Sequence, residues 1–141
     1  MSKLLARAIE IAVLAHKGQF DKGGRPYILH PLWVMNNVRH LGDDYMMVAI
    51  LHDVVEDSPV TIEDLIKEGF PKRVTDAIDL VTMNGMVYHD RIKVIATNEI
   101  ARAIKLKDLE HNLKPTRLKG LRKKDHDRIE KYHTAYTYLK D

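Results

Sequence analysis

Apolar side chains return at helical spacing in one segment after another, and no alternating stretch bounded by hairpin turns competes with them. That periodicity restricts the chain to an all-α fold. Ser2 caps a first helix running to about Lys17, with Leu5, Ala8, Ile9, Ala12 and Val13 along one face. "GQFDKGGRPY" is a loop, and Pro31 lies in the first turn of a second helix that Gly42 ends. A third helix from about Asp44 carries "AILHDVVEDS" and stops at "DSP". Thr61 and Asp64 form a capping pair for a short helix ending at Gly69, and Pro71 opens another, "PKRVTDAIDLVTM". After a break at Asn84-Gly85, helices run from about Tyr88, from Glu99 to Lys114, and from near Asp125 to the C-terminus. The expectation is one helical bundle of about seven or eight helices, residues 1–141 forming a single domain large enough for a real core.

Composition removes several alternatives. No apolar run reaches the 18 or so residues of a membrane span, and the N-terminal segment, broken by Arg7 and Glu10, reads as an amphipathic helix, not a signal peptide. The chain has no cysteine, which excludes disulfides and thiolate-bound zinc and agrees with a cytoplasmic location. The net charge of +3 is small, but residues 114–131, "KPTRLKGLRKKDHDRIEK", concentrate Lys and Arg. That run is either a solvated surface or a rim that attracts phosphate. No aromatic interleaving or nucleic-acid motif accompanies it, so a nucleic-acid partner is not expected. No feature sets the number of copies in an assembly.

"AILHDVVEDS" sets one imidazole and three carboxylates into a core-like helix. On a continuous helix, with His52 at zero, Glu56 falls at roughly 40°, Asp53 at 100° and Asp57 at 140°, so the polar residues form one stripe. It is either the wet face of an amphipathic helix or a cation site. Three like charges with no Lys or Arg among them repel one another, more so with burial. Two other positions favour the cation. His30 stands at a loop-to-helix junction in "RPYILHPL", and Asp108 interrupts the core-like "ARAIKLKDLEHNL", where helix propensity gives no reason for an aspartate. Two imidazoles and two carboxylates suit a divalent ion of intermediate softness, Mn²⁺, Fe²⁺, Co²⁺, Ni²⁺ or Zn²⁺.

The pattern resembles the HD-domain metal-dependent phosphohydrolases, whose four metal ligands are matched in order by His30, His52, Asp53 and Asp108. The nearer likeness is to the hydrolase domain of the RelA/SpoT proteins and their small single-domain relatives, which cleave the 3′-pyrophosphate of (p)ppGpp, usually with Mn²⁺. It rests on "AHKGQ", "KGGRPYILHP", "AILHDVVEDS", "TIEDL" followed by "GFP", and "KLKDLEHNL", spread over residues 5–115. The resemblance implies that Glu56 and Asp57 orient and activate the attacking water. It implies nucleotide contacts from Lys22, Asn112, Arg128 and Tyr132. Lys105 is either a further phosphate contact or a solvated helix face.

The chain also departs from that family. Where alarmone hydrolases have an arginine that stacks on guanine, this chain has Phe20-Asp21, with Phe20 available for stacking and Arg25 as a substitute cation. The segment "MNGMVYHDRI" is short, so the wall it provides differs, and nothing resembles a synthetase domain. The expected activity is metal-dependent hydrolysis of ppGpp. A different nucleotide or phosphomonoester is the alternative, and a non-catalytic binding module is the third reading.

Overall fold

The structure, a computed structural model, describes residues 2–82, 85–114, 117, 118 and 120–141. Among them, regular structure is helical apart from one isolated antiparallel bridge between Phe20 and Pro26. The α-helices are α1 Lys3–Ala15, α2 Leu29–Asn37, α3 Asp43–Leu51, α4 Val54–Asp57, α5 Ile62–Lys67, α6 Lys72–Thr82, α7 Tyr88–Ala96, α8 Glu99–Asn112 and α9 Lys123–Lys140, with a 3₁₀ turn at Arg39–Leu41.

Local signals in the sequence set most of these ends. The Ser2 hydroxyl accepts the Leu5 N–H at 3.1 Å, and the Asn98 side chain accepts that of Ala101 at 2.9 Å. Thr61 and Asp64 satisfy each other's backbone N–H groups as a complete capping box. At Gly42 the chain leaves the 3₁₀ turn with φ of 107°, a conformation that a side chain would strain. The expected break at Asn84-Gly85 lies partly outside the described residues, as do Pro115, Thr116 and Lys119 of the basic segment.

Helix α3 forms the centre. Met47, Val48, Ala49, Ile50 and Leu51 are all buried, so the helix is apolar on every side, and α1, α2, α6 and α8 pack around it. Helix α9 closes the far side against α7 and α8 through Ala135 and Leu139. Among the described residues, no helix is long and apolar enough to cross a membrane.

Two expectations change. The buried strip of α1 is Ala8, Ile11 and Ala12, while Val13 is 47% exposed. Val13 follows Ala12 by one residue, roughly 100° around the helix, and so turns away from α3. The polar motif also does not ride on a continuous helix. α3 ends at Leu51, His52 and Asp53 form a turn, and α4 starts at Val54. The His52 ring supplies the cause. Its Nδ1 takes the Ala49 carbonyl at 2.6 Å, the acceptor that the Asp53 N–H would need for the α-helix to continue.

Candidate metal centre and substrate pocket

Three structural elements bring the four expected ligands together. α2 presents His30 from its first turn, the α3–α4 junction presents His52 and Asp53, and α8 presents Asp108. One ligand atom from each lies within 4.8 Å of all the others. His30 Nε2 is 2.8 Å from Asp108 Oδ1 and 3.8 Å from Asp53 Oδ2, and His52 Nε2 is 3.1 Å from Asp53 Oδ2 and 3.4 Å from Asp108 Oδ1. His30, His52 and Asp108 are buried and Asp53 is half-buried.

The donor chemistry fits a cation. With Nδ1–H given to Ala49, the neutral His52 ring turns its Nε2 lone pair toward two carboxylates, and that buried atom has no hydrogen-bond partner among the described residues. Lone pair against carboxylate is repulsive until a positive charge lies between them. A proton meets the same demand. Burial alone would depress the His52 imidazolium, but Asp53 and Asp108 hold it well above its ordinary value. Burial likewise opposes ionisation of both carboxylates. His52 and His30 nevertheless bring Asp53 down to about 2, and Lys105 with both imidazoles holds Asp108 well below the usual carboxylate range.

A second layer fixes these groups. The Tyr27 hydroxyl donates to Asp53 Oδ2 at 2.5 Å, and burial together with Asp53 pushes its own ionisation upward. Lys105 Nζ meets Asp108 Oδ2 at 2.9 Å, and Asn112 Nδ2 donates to Asp108 Oδ1 at 3.1 Å. The Lys105 side chain is only 14% exposed, so a solvated face is ruled out. Burial opposes its charge, but Asp108 overrides that and raises its pKa.

On the other side, His30 Nδ1 lies 2.8 Å from His111 Nδ1. His111 stacks at 4.4 Å on Trp33, over which Lys114 Nζ lies at 4.5 Å. Burial, then the positive charges of Arg117 and Lys114, lowers His111 to about 3, so the ring is neutral and can accept.

Glu56 and Asp57 diverge. Glu56 lines a small cavity of about 20 Å³ with His52, Asp53, Val81, Arg91, Ile104, Lys105 and Asp108. That volume suits roughly one water molecule. Asp57 does not line it. Its carbonyl accepts from Gln19 Nε2 at 2.9 Å, and burial, then the charges of Asp53 and Glu56, raises its carboxyl pKa.

A larger pocket of about 370 Å³ adjoins the Phe20 loop. Lys22, Asn112, Arg128 and Tyr132, drawn from distant parts of the chain, all line it, together with Tyr27, Lys114 and Arg117. Arg128 is held there by Asp125 at 2.9 Å. Arg25 lines a neighbouring cleft with Leu29 and Trp33, apart from that group. Phe20 is 66% exposed at the pocket's edge. No spacing along the chain points to Arg117, which donates to Asn112 Oδ1 at 3.0 Å and approaches Asp21 at 3.6 Å. The same holds for Tyr27, His111 and Arg91, although Tyr27 and His111 stand inside the family-like words "RPYILHP" and "KLKDLEHNL".

No protein-family model matches the chain. Among curated proteins it is 37% identical over 118 residues to a guanosine-3′,5′-bis(diphosphate) 3′-pyrophosphohydrolase of Haemophilus influenzae, covering 74% of this chain and 17% of that protein. A protein of the same description from Borreliella burgdorferi is 33% identical over 143 residues, 92% of this chain and 21% of the relative. The bifunctional (p)ppGpp synthase/hydrolase SpoT of Escherichia coli is 33% identical over 126 residues, 79% and 18% of the two chains. The chain thus spans about a fifth of the length of these curated relatives. In fold it matches the solved structure of a metazoan ortholog of SpoT described as hydrolyzing ppGpp. The TM-score is 0.79 at 23% identity, over 99% of this chain and 86% of that one.

Proposed function

We propose that this chain, a homologue of the ppGpp 3′-pyrophosphohydrolases with their HD-type helical fold, is itself a metal-dependent hydrolase that removes the 3′-pyrophosphate of ppGpp. The observation that carries the reading is the convergence of His30, His52, Asp53 and Asp108 beside a water-sized cavity that Glu56 also lines. Those four residues would hold one divalent ion, and their mixed nitrogen and oxygen donors suit Mn²⁺. When bound, the ion supplies Lewis acidity toward water and phosphoryl oxygen.

The protein's own groups account for the rest. In the overall hydrolysis, a water oxygen bonds to the phosphorus attached to the ribose 3′-oxygen. That P–O bond breaks, the 3′-oxygen gains a proton, and GDP and pyrophosphate leave. Glu56 is the base that takes a proton from the water in the cavity. Asp57, outside the cavity, contributes to the local field and to the junction with the Gln19 loop. Lys105 neutralises part of the negative charge around Asp108. Lys22, Arg128 and Tyr132 receive the rest of the nucleotide, and Asn112 is held between Asp108 and Arg117 to meet it. We read residues 1–141 as one hydrolase domain working in the cytoplasm, where nucleotides are available.

A second reading keeps the chemistry and changes the nucleotide. It is favoured by Asp21, a carboxylate where alarmone hydrolases have a guanine-stacking arginine, and by the exposed Phe20 beside it. Purified protein should be analysed for metal, then assayed with Mn²⁺ on ppGpp and on a panel of nucleotides. Release of pyrophosphate from ppGpp in preference to the panel supports the first reading, and preference for another nucleotide supports the second. No metal uptake and no turnover of any substrate would sink both and favour a binding module. Within an active enzyme, Glu56→Gln should cost far more in kcat than Asp57→Asn, and the reverse order would remove Glu56 from the role of base.

A further inference from the structure

We infer that Arg91 is a catalytic residue that binds the diphosphate undergoing attack. The inference deepens the hydrolase reading above and rests on it. Arg91 shares the small cavity with Glu56, Lys105 and three of the four metal ligands. Lys105 is already paired with Asp108 at 2.9 Å. Among the described residues, no carboxylate lies within ion-pair distance of Arg91. The only hydrogen bond of its side chain there runs from one terminal nitrogen to the Val81 carbonyl, at 2.6 Å near the end of α6. That bond anchors the guanidinium and leaves most of its five N–H donors unengaged.

The charge balance points to an anion. Three carboxylates and two cations line the cavity, so a divalent ion held by the ligands leaves it positive overall. A half-buried guanidinium with spare donors then suits the non-bridging oxygens of a diphosphate, which it can grip in fork geometry. One turn earlier on the same face of α7 stands Tyr88, whose buried hydroxyl has no hydrogen-bond partner among the described residues. Tyr88 lines a separate cleft with Lys131, so of these two α7 side chains Arg91 is the one that faces the small cavity. Arg91 would thus offset charge that grows on the phosphoryl oxygens as the P–O bond to the leaving 3′-oxygen breaks.

The test compares wild type, Arg91→Gln and Arg91→Lys as Mn²⁺-loaded full chains. Pyrophosphate serves as the binding probe and ppGpp as the substrate. Arg91→Gln should weaken pyrophosphate binding at least about tenfold and lower kcat on the order of 100-fold, with Mn²⁺ affinity unchanged. Arg91→Lys should recover only part of the loss, since it restores charge without the fork. A role confined to the Val81 carbonyl would lower the unfolding temperature and leave pyrophosphate affinity and kcat within about threefold of wild type, and that result overturns the inference. If Arg91→Gln does not fold, Arg91→Lys decides: wild-type pyrophosphate affinity and kcat refute the role. Wild type that binds pyrophosphate through Arg91 yet leaves ppGpp intact would defeat the ppGpp reading and keep the anion site.

Discussion

The His30–His111 contact makes a sharp test of the proposed metal centre. His30 turns Nε2 to the other ligands, so as a neutral metal ligand it must carry its proton on Nδ1. The partner of that N–H is His111 Nδ1 at 2.8 Å, on a ring that burial and nearby cations keep neutral. His111→Leu removes the acceptor and strands a donor on a residue only 2% exposed. An unsatisfied buried donor costs about 1–3 kcal/mol, roughly 5- to 150-fold in an equilibrium constant. Loss of a comparable outer partner of a metal-bound histidine typically costs 10–100-fold in affinity. Both routes predict Mn²⁺ binding weakened by one to two orders of magnitude, measurable by competition with a chelator of known affinity. His111→Asn keeps a short acceptor and should recover much of the loss. Wild-type affinity in the leucine variant would refute the tautomer argument. Equal loss in both variants would assign the effect to the Trp33 stack at 4.4 Å instead.

Three further outcomes follow from the same structure. Mn²⁺ at about 100 times its dissociation constant should stabilise the fold by roughly 2.7 kcal/mol, seen as a rise in unfolding temperature that a chelator reverses. His52→Ala should abolish that rise, and a persistent one would place the ion elsewhere. Gly23→Ala sets a methyl group 2.2 Å from the Arg117 carbonyl, so the loop must move. A cost of about 1–3 kcal/mol by urea unfolding and a raised KM are expected, and wild-type values for both would show the loop is not held there. Leu139→Ala, at a fully buried position whose carbonyl takes Arg102 Nε at 2.6 Å, should cost about 2–5 kcal/mol. A loss below roughly 1 kcal/mol would mean the end of α9 unfolds independently of the core.

What could be read from the sequence was set by spacing along the chain. Ser2, Thr61 with Asp64, and the glycine stops act within one turn, and the helices begin and end near them. His30, His52, Asp53 and Asp108 were legible because acid and imidazole in apolar helices need a reason to be there. The break at His52 was not legible, because it depends on a ring turning back to take the Ala49 carbonyl. The wheel drawn for a continuous helix therefore grouped Asp57 with Glu56, although only Glu56 lines the cavity. His111 and Arg91 stayed hidden for a related reason. Each looks like an ordinary polar helix residue until a neighbouring helix supplies the surface it faces.

Asp21 illustrates the same limit in the proposed substrate pocket. Along the chain it reads as a positive charge replaced by a negative one, a loss for any site that receives phosphate. In space it lies 3.6 Å from Arg117, which reaches the pocket from a segment ninety-six residues later and also holds Asn112. The guanidinium has not vanished; it comes from the opposite segment, with Asp21 as its anchor and Gly23 admitting its backbone. A cation anchored in this way is less free to slide over a base than one on a mobile loop. For a nucleotide in this pocket, stacking would then be left to Phe20, whose exposed apolar ring would accept any purine face. If the chain hydrolyses ppGpp as proposed, this geometry would keep a grip on phosphate and relax the choice of base. The ratio of kcat/KM on ppGpp to that on other nucleotides should then change more in Phe20→Ala than in Asp21→Ala, and the reverse order would refute the stacking role of Phe20.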